Sequence, residues 1–306
     1  TDADAERPWQ EGRILRTHIL RPTWHFVSPA DIGWMLSVSG PRVNAVNAHY
    51  YRKSGLDAAV FARSRRAIER ALAGGTHRTR LELAAVLKEA GIQAAGQRLA
   101  YLMMRAELDG VICSGARRGK QSTYALLDER APRTTATTRE EALARLATRY
   151  FTSHGPATLR DYVWWSGLTV KDAKAGIDAA GKVLQNVTID TRMHWLASSR
   201  TRVPAPGSTL HLLPNYDEYL IAYKDRGSIR DGKPAASVPV SIEFPHFLII
   251  DGKLRGTWKR SLRAGRMVIT LRLFRPLSRD ERVALEDEAA RFRRFAGVPV
   301  GVEATP

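Results

Sequence analysis

Cysteine is nearly missing from this chain: Cys113 is the only one in 306 residues. A lone cysteine excludes an internal disulfide and any multi-cysteine zinc site, and it suits a reducing compartment, so a cytoplasmic protein is expected. The eight histidines show no His-Glu-x-x-His or similar ligand spacing. Neither a metal nor another cofactor is expected. Long hydrophobic runs are also lacking, and no stretch approaches the ~18 uncharged apolar residues of a membrane-spanning helix, which excludes that class. The opening residues Thr1 to Glu11 are acidic and polar, without the basic-then-apolar order of a secretory signal. Negative charge is the other shortage: 31 Asp and Glu stand against 48 Lys and Arg, a formal charge of +17.

That surplus favours a polyanionic partner, and double-stranded DNA is the expected one. Arginine heavily outnumbers lysine, and the excess runs through every segment of the chain. A long track on a phosphate backbone needs such a distribution, although an arginine-rich coding bias gives a similar total. Hydrophobic content of 44% with 26% charged residues is that of a folded soluble chain. The length calls for roughly two to four modules rather than one small core.

Helix starts are legible as Ser or Thr followed three residues later by Asp or Glu, a pattern that satisfies free N–H groups at a helix N-terminus. Six such pairs precede apolar periodicity: Ser28/Asp31, Thr79/Glu82, Thr138/Glu141, Thr158/Asp161, Thr169/Asp172 and Ser278/Glu281. After Thr79, one helix ends near Gly91 and a second runs from Gln97 to Leu108. Strands Val111–Ser114 and Ser122–Leu127 then flank a basic tip, Gly115 to Gln121. Helix, helix and hairpin is the order of a winged helix. The next segment repeats it, with helices from Arg139, Leu159 and Val170 and a hairpin from Val183 to Ala197. Gly12 to Val27 reads as the closing hairpin of a further unit whose front is missing, so native residues before Thr1 are expected. After the linker Arg202–Gly207 the pattern turns to short strands at Leu210–Leu213, Phe247–Ile250, Arg255–Lys259 and Met267–Leu273, with turns at Asp251-Gly252 and Ala264-Gly265 and a last helix, Arg279–Phe295. The expected fold class is α+β, tandem winged-helix modules followed by a β-barrel-like domain. The expected division is a remnant of a first winged helix over 1–75, a second over 76–133, a third over 134–200, and a β-rich domain over 201–306. A monomer is expected.

Three stretches carry more than a pattern: Arg13-Ile-Leu-Arg-Thr-His-Ile-Leu-Arg-Pro-Thr-Trp-His-Phe-Val27 with Asp31; Ala106-Glu-Leu-Asp-Gly-Val-Ile-Cys-Ser-Gly115 with Thr123-Tyr-Ala-Leu-Leu127; and Leu212-Leu-Pro-Asn-Tyr-Asp-Glu-Tyr219 with Tyr223-Lys-Asp-Arg226. Together they resemble the winged-helix DNA-binding family that includes the AlkZ/YcaQ-like DNA glycosylases. The resemblance implies three tandem winged helices and a C-terminal β-barrel-like domain around a basic DNA channel. It also implies metal-independent excision of N-alkylated or crosslinked bases. In those glycosylases the catalytic pair is Gln-x-Gln or Gln-x-Asp ahead of the hairpin at 13–27. No such motif occurs here, so two readings stay open: a repair glycosylase whose motif precedes Thr1, or a non-catalytic regulatory or architectural DNA binder. A protein-interaction scaffold is a weaker third.

For DNA contacts the candidates are Gln97, Arg98 and Tyr101 on the second helix of the 76–133 unit, and Arg117, Arg118 and Lys120 on its basic tip, where each cation that meets a phosphate steepens the salt dependence of binding. Lys224 and Arg226 are added from the charged stretch Tyr216–Arg226. Within it Asp217 and Glu218 are candidate water-activating carboxylates, weighed against a structural role for the same residues. His25, His211 and the tryptophans Trp24, Trp34, Trp164, Trp165 and Trp195 are expected to serve packing.

Overall fold

The structure, a computed structural model, describes residues 2–131, 137–199, 209–230 and 246–305. It separates into an N-terminal unit, Ala3–Ser199, and a C-terminal unit that begins at Arg200. The Arg202–Gly207 linker lies outside the described residues.

The N-terminal unit opens with α1 (Asp2–Gln10), the antiparallel hairpin β1 (Leu15–Ile19) and β2 (Thr23–Val27), and the long α2 (Pro29–Lys53). There follow α3 (Ala58–Leu72), β3 (Arg78–Thr79), α4 (Arg80–Glu89), α5 (Gly96–Leu108), β4 (Ile112–Ser114), β5 (Thr123–Leu126) and the short α6 (Leu127–Arg130). The last three helices of the unit, α7 (Arg139–His154), α8 (Leu159–Ser166) and α9 (Val170–Ala180), lead into the hairpin β6 (Leu184–Ile189) and β7 (Arg192–Ala197). Each of the six capping pairs begins a helix. At Thr79, Thr138, Thr158 and Ser278 both reciprocal bonds of the box are formed. Ser28 instead donates its hydroxyl to Asp31 at 2.7 Å, because that carboxylate is drawn into other contacts.

One order, helix, short strand, helix, helix, hairpin, occurs twice. In the first copy β3 pairs with β5 in a sheet of order β3-β5-β4. In the second, Ala157 bridges Trp195 of β7. The first pairing includes Thr79 itself and the second ends one residue before Thr158, the threonines that cap the next helices. The core of the first copy joins Val60, Ala67, Ile68 and Leu72 of α3 to Leu83, Leu87, Leu99, Leu102, Ile112 and Tyr124. The apolar face of α3 is thus filled by the sheet and helices that follow it. Helices α2 and α5 approach closely at Gly40, where a Cβ would fall 2.5 Å from the Leu108 carbonyl oxygen.

The C-terminal unit holds β8 (Leu210–Leu213), α10 (Glu218–Ile221), β9 (His246–Ile250), β10 (Lys253–Arg263), β11 (Arg266–Leu273), α11 (Arg279–Ala296) and β12 (Val300–Thr305). Turns at Asp251-Gly252 and Ala264-Gly265 have positive φ at both residues, which fits the twist of tight hairpins. The described strands form an open sheet of order β12-β11-β10-β9-β8, with β12 parallel to β11. Among the described strands no closed barrel forms, and the arrangement is layered. One face, with Leu248, Ile250, Trp258 and Leu271, packs on Leu285 and Phe292 of α11, and the alternate residues Phe247 and Ile249 pack with Leu220 and Ile229. Both faces are covered without closing the sheet. No described helix is long and apolar enough to cross a membrane.

Candidate nucleic-acid interface

Alternation along β1 decides which side chains of the first hairpin are available. Leu15, Thr17 and Ile19 point into the core, which leaves Arg16 opposite Phe26 and His18 opposite Trp24 on the other face. Trp24 and Phe26 are 47% and 69% exposed. The Arg16 guanidinium lies over the Trp24 ring at 4.2 Å and near Trp9 at 5.6 Å, and Phe26 meets Trp9 edge-on at 5.4 Å. Beneath this aromatic and cationic surface lies Glu107 of α5, fully buried. One of its oxygens, Oε2, contacts His18 Nδ1 and accepts a long 3.5 Å bond from Trp24 Nε1. The other, Oε1, has no hydrogen-bond partner among the described residues, and neither has the buried Arg16 Nε. Isolated buried polar atoms are costly.

The basic tip between β4 and β5 lies beside this face. Trp9 Nε1 donates to the Gly115 carbonyl at 3.0 Å, and Gln10 donates to that of Arg117 at 3.2 Å, so α1 docks on the hairpin. Arg117 pairs with Glu6 at 2.9 Å, and Arg118 with Glu82 at 2.7 Å. The capping bond from the Thr79 backbone N–H and then the Arg118 guanidinium hold the Glu82 carboxyl down at about 2. Lys120 is exposed and makes no ion pair among the described residues. On α5, Gln97 is exposed, while Tyr101 is half-buried against Tyr50 and Tyr51. Arg98 is engaged by the fold: it donates to the carbonyls of Gln93 at 2.7 Å, Gly55 at 3.0 Å and Ser54. The Ser54 and Gly55 carbonyls lie at the end of α2, where a cation commonly satisfies the last carbonyls of a helix.

A second cationic cluster joins α2 to α7. Asp31 accepts from Arg149 at 2.7 and 2.9 Å, Arg145 at 2.9 Å, Trp34 at 2.9 Å and Ser28 at 2.7 Å. Burial pushes the Asp31 carboxyl up, but the bonds from Arg149, Trp34 and Ser28 outweigh that and bring it down to about 2. Both guanidinium groups also lie over Trp34, at 4.7 and 5.4 Å.

In the C-terminal unit, Asp217 caps α10 by accepting from the Tyr219 N–H at 2.9 Å, and Asp225 accepts from the Gly227 N–H at 2.9 Å. Glu218 lies in the first turn of α10. Arg226 lines a cavity of about 30 Å³ with Tyr216, Leu220, Phe247 and Leu254, room for a water but not for a base. The tip of the β10–β11 hairpin carries exposed Arg260, Arg263 and Arg266. Composition and spacing pointed to the β4–β5 tip and to the 216–226 stretch. They did not single out Arg16, His18 or Glu107, because His18 and Glu107 are far apart in sequence and meet only through the packing of β1 on α5. The signal available was their presence in two of the stretches that carry the family resemblance.

The family model "DNA glycosylase AlkZ-like" matches residues 1–295. Among solved structures, the Streptomyces sahachiroi DNA glycosylase AlkZ superposes with a TM-score of 0.81 at 20% sequence identity, over 99% of this chain and 85% of that one. No curated protein matches the chain in a sequence search.

Proposed function

The chain belongs to the AlkZ-like DNA glycosylase family, and from that premise we propose that it is a DNA-repair glycosylase that grips double-stranded DNA and hydrolyses the N-glycosidic bond of alkylated or crosslinked bases. The observation that carries this reading is the family match over residues 1–295. The doubled order from α3 to β5 and from α7 to β7 supports a pair of winged helices, with β1–β2 as the closing hairpin of a third. The exposed face of β1–β2 and the Lys120 tip are the cationic and aromatic surfaces of the N-terminal unit assigned to the duplex. Contacts to phosphate give salt-dependent affinity with little base preference. An N-alkylated purine already carries positive charge and leaves readily, so the enzyme's task is to hold the strand, place a water and stabilise positive charge on the sugar. The protein acts as a monomer in the cytoplasm.

Mass spectrometry of bases released from methylated DNA tests the proposal. Free N-methylpurines above the spontaneous background are expected, whereas tight DNA binding with no release would contradict it. That second outcome is the mark of a non-catalytic DNA binder, a reading favoured by the absence of Gln-x-Gln and Gln-x-Asp from these 306 residues.

A further inference from the structure

We infer that the outer face of α3 is a further track for the DNA backbone, with Arg63, Arg66 and Arg70 each meeting a phosphate of one strand. The assignment rests on the DNA-gripping part of the reading above. The three arginines recur at i, i+3 and i+7 of α3, which stacks them along one side of the helix, away from the buried Val60, Ala67, Ile68 and Leu72. All three are exposed, and none makes an ion pair among the described residues. Arg65 shows the contrast: it donates to Glu69 at 2.8 Å, the ordinary way in which a helix settles a cation. Arg66 and Arg70 stand one turn apart and repel each other instead, because like charges at that spacing are destabilising. A stripe of uncompensated like charge weakens its helix, and an anion laid along it removes that cost.

The dimensions fit one strand of a duplex. From Arg63 to Arg70 the helix rises about 10 Å, a length over which one strand of B-DNA presents about three phosphates. A guanidinium grips phosphate with two parallel bonds, which a lysine does not offer. Ala59 and Ala62, exposed alongside the stripe, are too small to hold a duplex off. The track continues at the end of α2, where exposed Arg52 lines an open cleft of about 420 Å³ with Phe61, Ala62 and Arg65. The acids of that cleft are engaged: Asp57 caps α3 by accepting from the Val60 N–H at 2.8 Å, and Asp109 accepts from Arg105 at 2.6 Å. Because α3 shares its core with Ile112 and Tyr124, the stripe sits on the same packed body as the hairpin that carries Lys120. No base is read here; contacts to phosphate supply affinity and register.

The test uses the full chain and a duplex carrying one N7-methylguanine, with affinity followed over a salt series. Replacing Arg63, Arg66 and Arg70 together by Ala should cut the slope of log affinity against log salt by about 2–3 units. The melting temperature should hold or rise, since alanine is the best helix former, so the loss cannot be laid to misfolding. The matching triple Arg→Lys variant keeps the charge and should stay near the parent slope. Contact itself is read by crosslinking: the chain's natural cysteine, Cys113, is buried, so an aryl azide coupled to an Arg66→Cys protein should form an adduct with the duplex on irradiation, and excess unlabelled DNA should compete it away. A parent-like slope in the triple-alanine protein, or no adduct while the azide-bearing protein is fully bound, would overturn the track and leave the glycosylase reading standing. Loss of slope with adduct formation, from a parent that releases no base, would support the track and overturn the glycosylase reading. A parent protein that does not bind the duplex would overturn both.

Discussion

Replacing Asp31 with Asn tests the joint between α2 and α7 quantitatively. The carboxylate sits at about 2 against its ordinary 3.8, and that depression corresponds to about 2.4 kcal/mol at ~1.36 kcal/mol per unit. Its two arginine partners are 43% and 47% exposed, so water competes for them, and the discounted contribution is about 1–2 kcal/mol. A depressed carboxyl stabilises the fold fully above its unfolded value and loses that contribution as the pH falls through its folded value, here between 3.8 and about 2. Asp31→Asn should therefore lower the melting temperature of the N-terminal unit by about 2–8 °C at neutral pH. The gap between variant and parent should close as both are acidified below about pH 3. Scanning calorimetry of the two proteins over that range reads both quantities. An unchanged melting temperature at neutral pH, or a deficit of equal size at every pH, would refute the charge-based account of this joint.

The remaining predictions follow from local geometry. DNA affinity should fall linearly with the logarithm of salt, and Lys120→Ala should remove about one unit of that slope; filter binding over a salt series checks it, and a flat dependence would contradict the phosphate contacts. Asp217→Ala should cost about 0.5–2 kcal/mol through the lost cap of α10, while Asp217→Asn, which caps as well, should leave melting and excision near parent values; lost excision at parent melting temperature would restore Asp217 as a catalytic carboxylate. Gly40→Ala forces a Cβ within 2.5 Å of the Leu108 carbonyl and should destabilise by about 1–3 kcal/mol, measured by urea unfolding. Cys113, fully buried with its thiol pushed up to about 12 by burial, should resist thiol reagents in the folded protein and react on unfolding.

Much of the fold is legible because it is locally encoded. A capping threonine with an acid three residues on fixes a helix start within a single turn, and all six such pairs mark one. The Asp251-Gly252 and Ala264-Gly265 turns are similarly self-contained. What escapes is set by long-range packing. Two-residue β3 and the Ala157 bridge carry no strand signature of their own and exist because β5 and β7 offer a partner. Helix α3 looks like the tail of the first segment until its apolar face meets the core around Leu83 and Ile112. Charge misleads in the same way: Arg98, Arg117 and Arg118 look like free cations in a basic run, yet Glu6, Glu82 and the carbonyls ending α2 occupy them. Asp217 and Glu218 look like a reactive pair of acids, but Asp217 accepts from the Tyr219 N–H as the cap of α10 and Glu218 lies in the first turn of that helix. Glu107 reads as one more polar residue of an amphipathic helix, and only burial beside His18 marks it.

The claim that this chain is a hydrolytic glycosylase meets its most direct test in heavy-oxygen water. A duplex bearing a single N7-methylguanine, incubated with the protein in that solvent, should yield an unlabelled free base and an abasic sugar carrying the heavy oxygen at C1′. Label on the released base, or a duplex recovered intact under conditions where the protein is fully bound to it, would contradict the account.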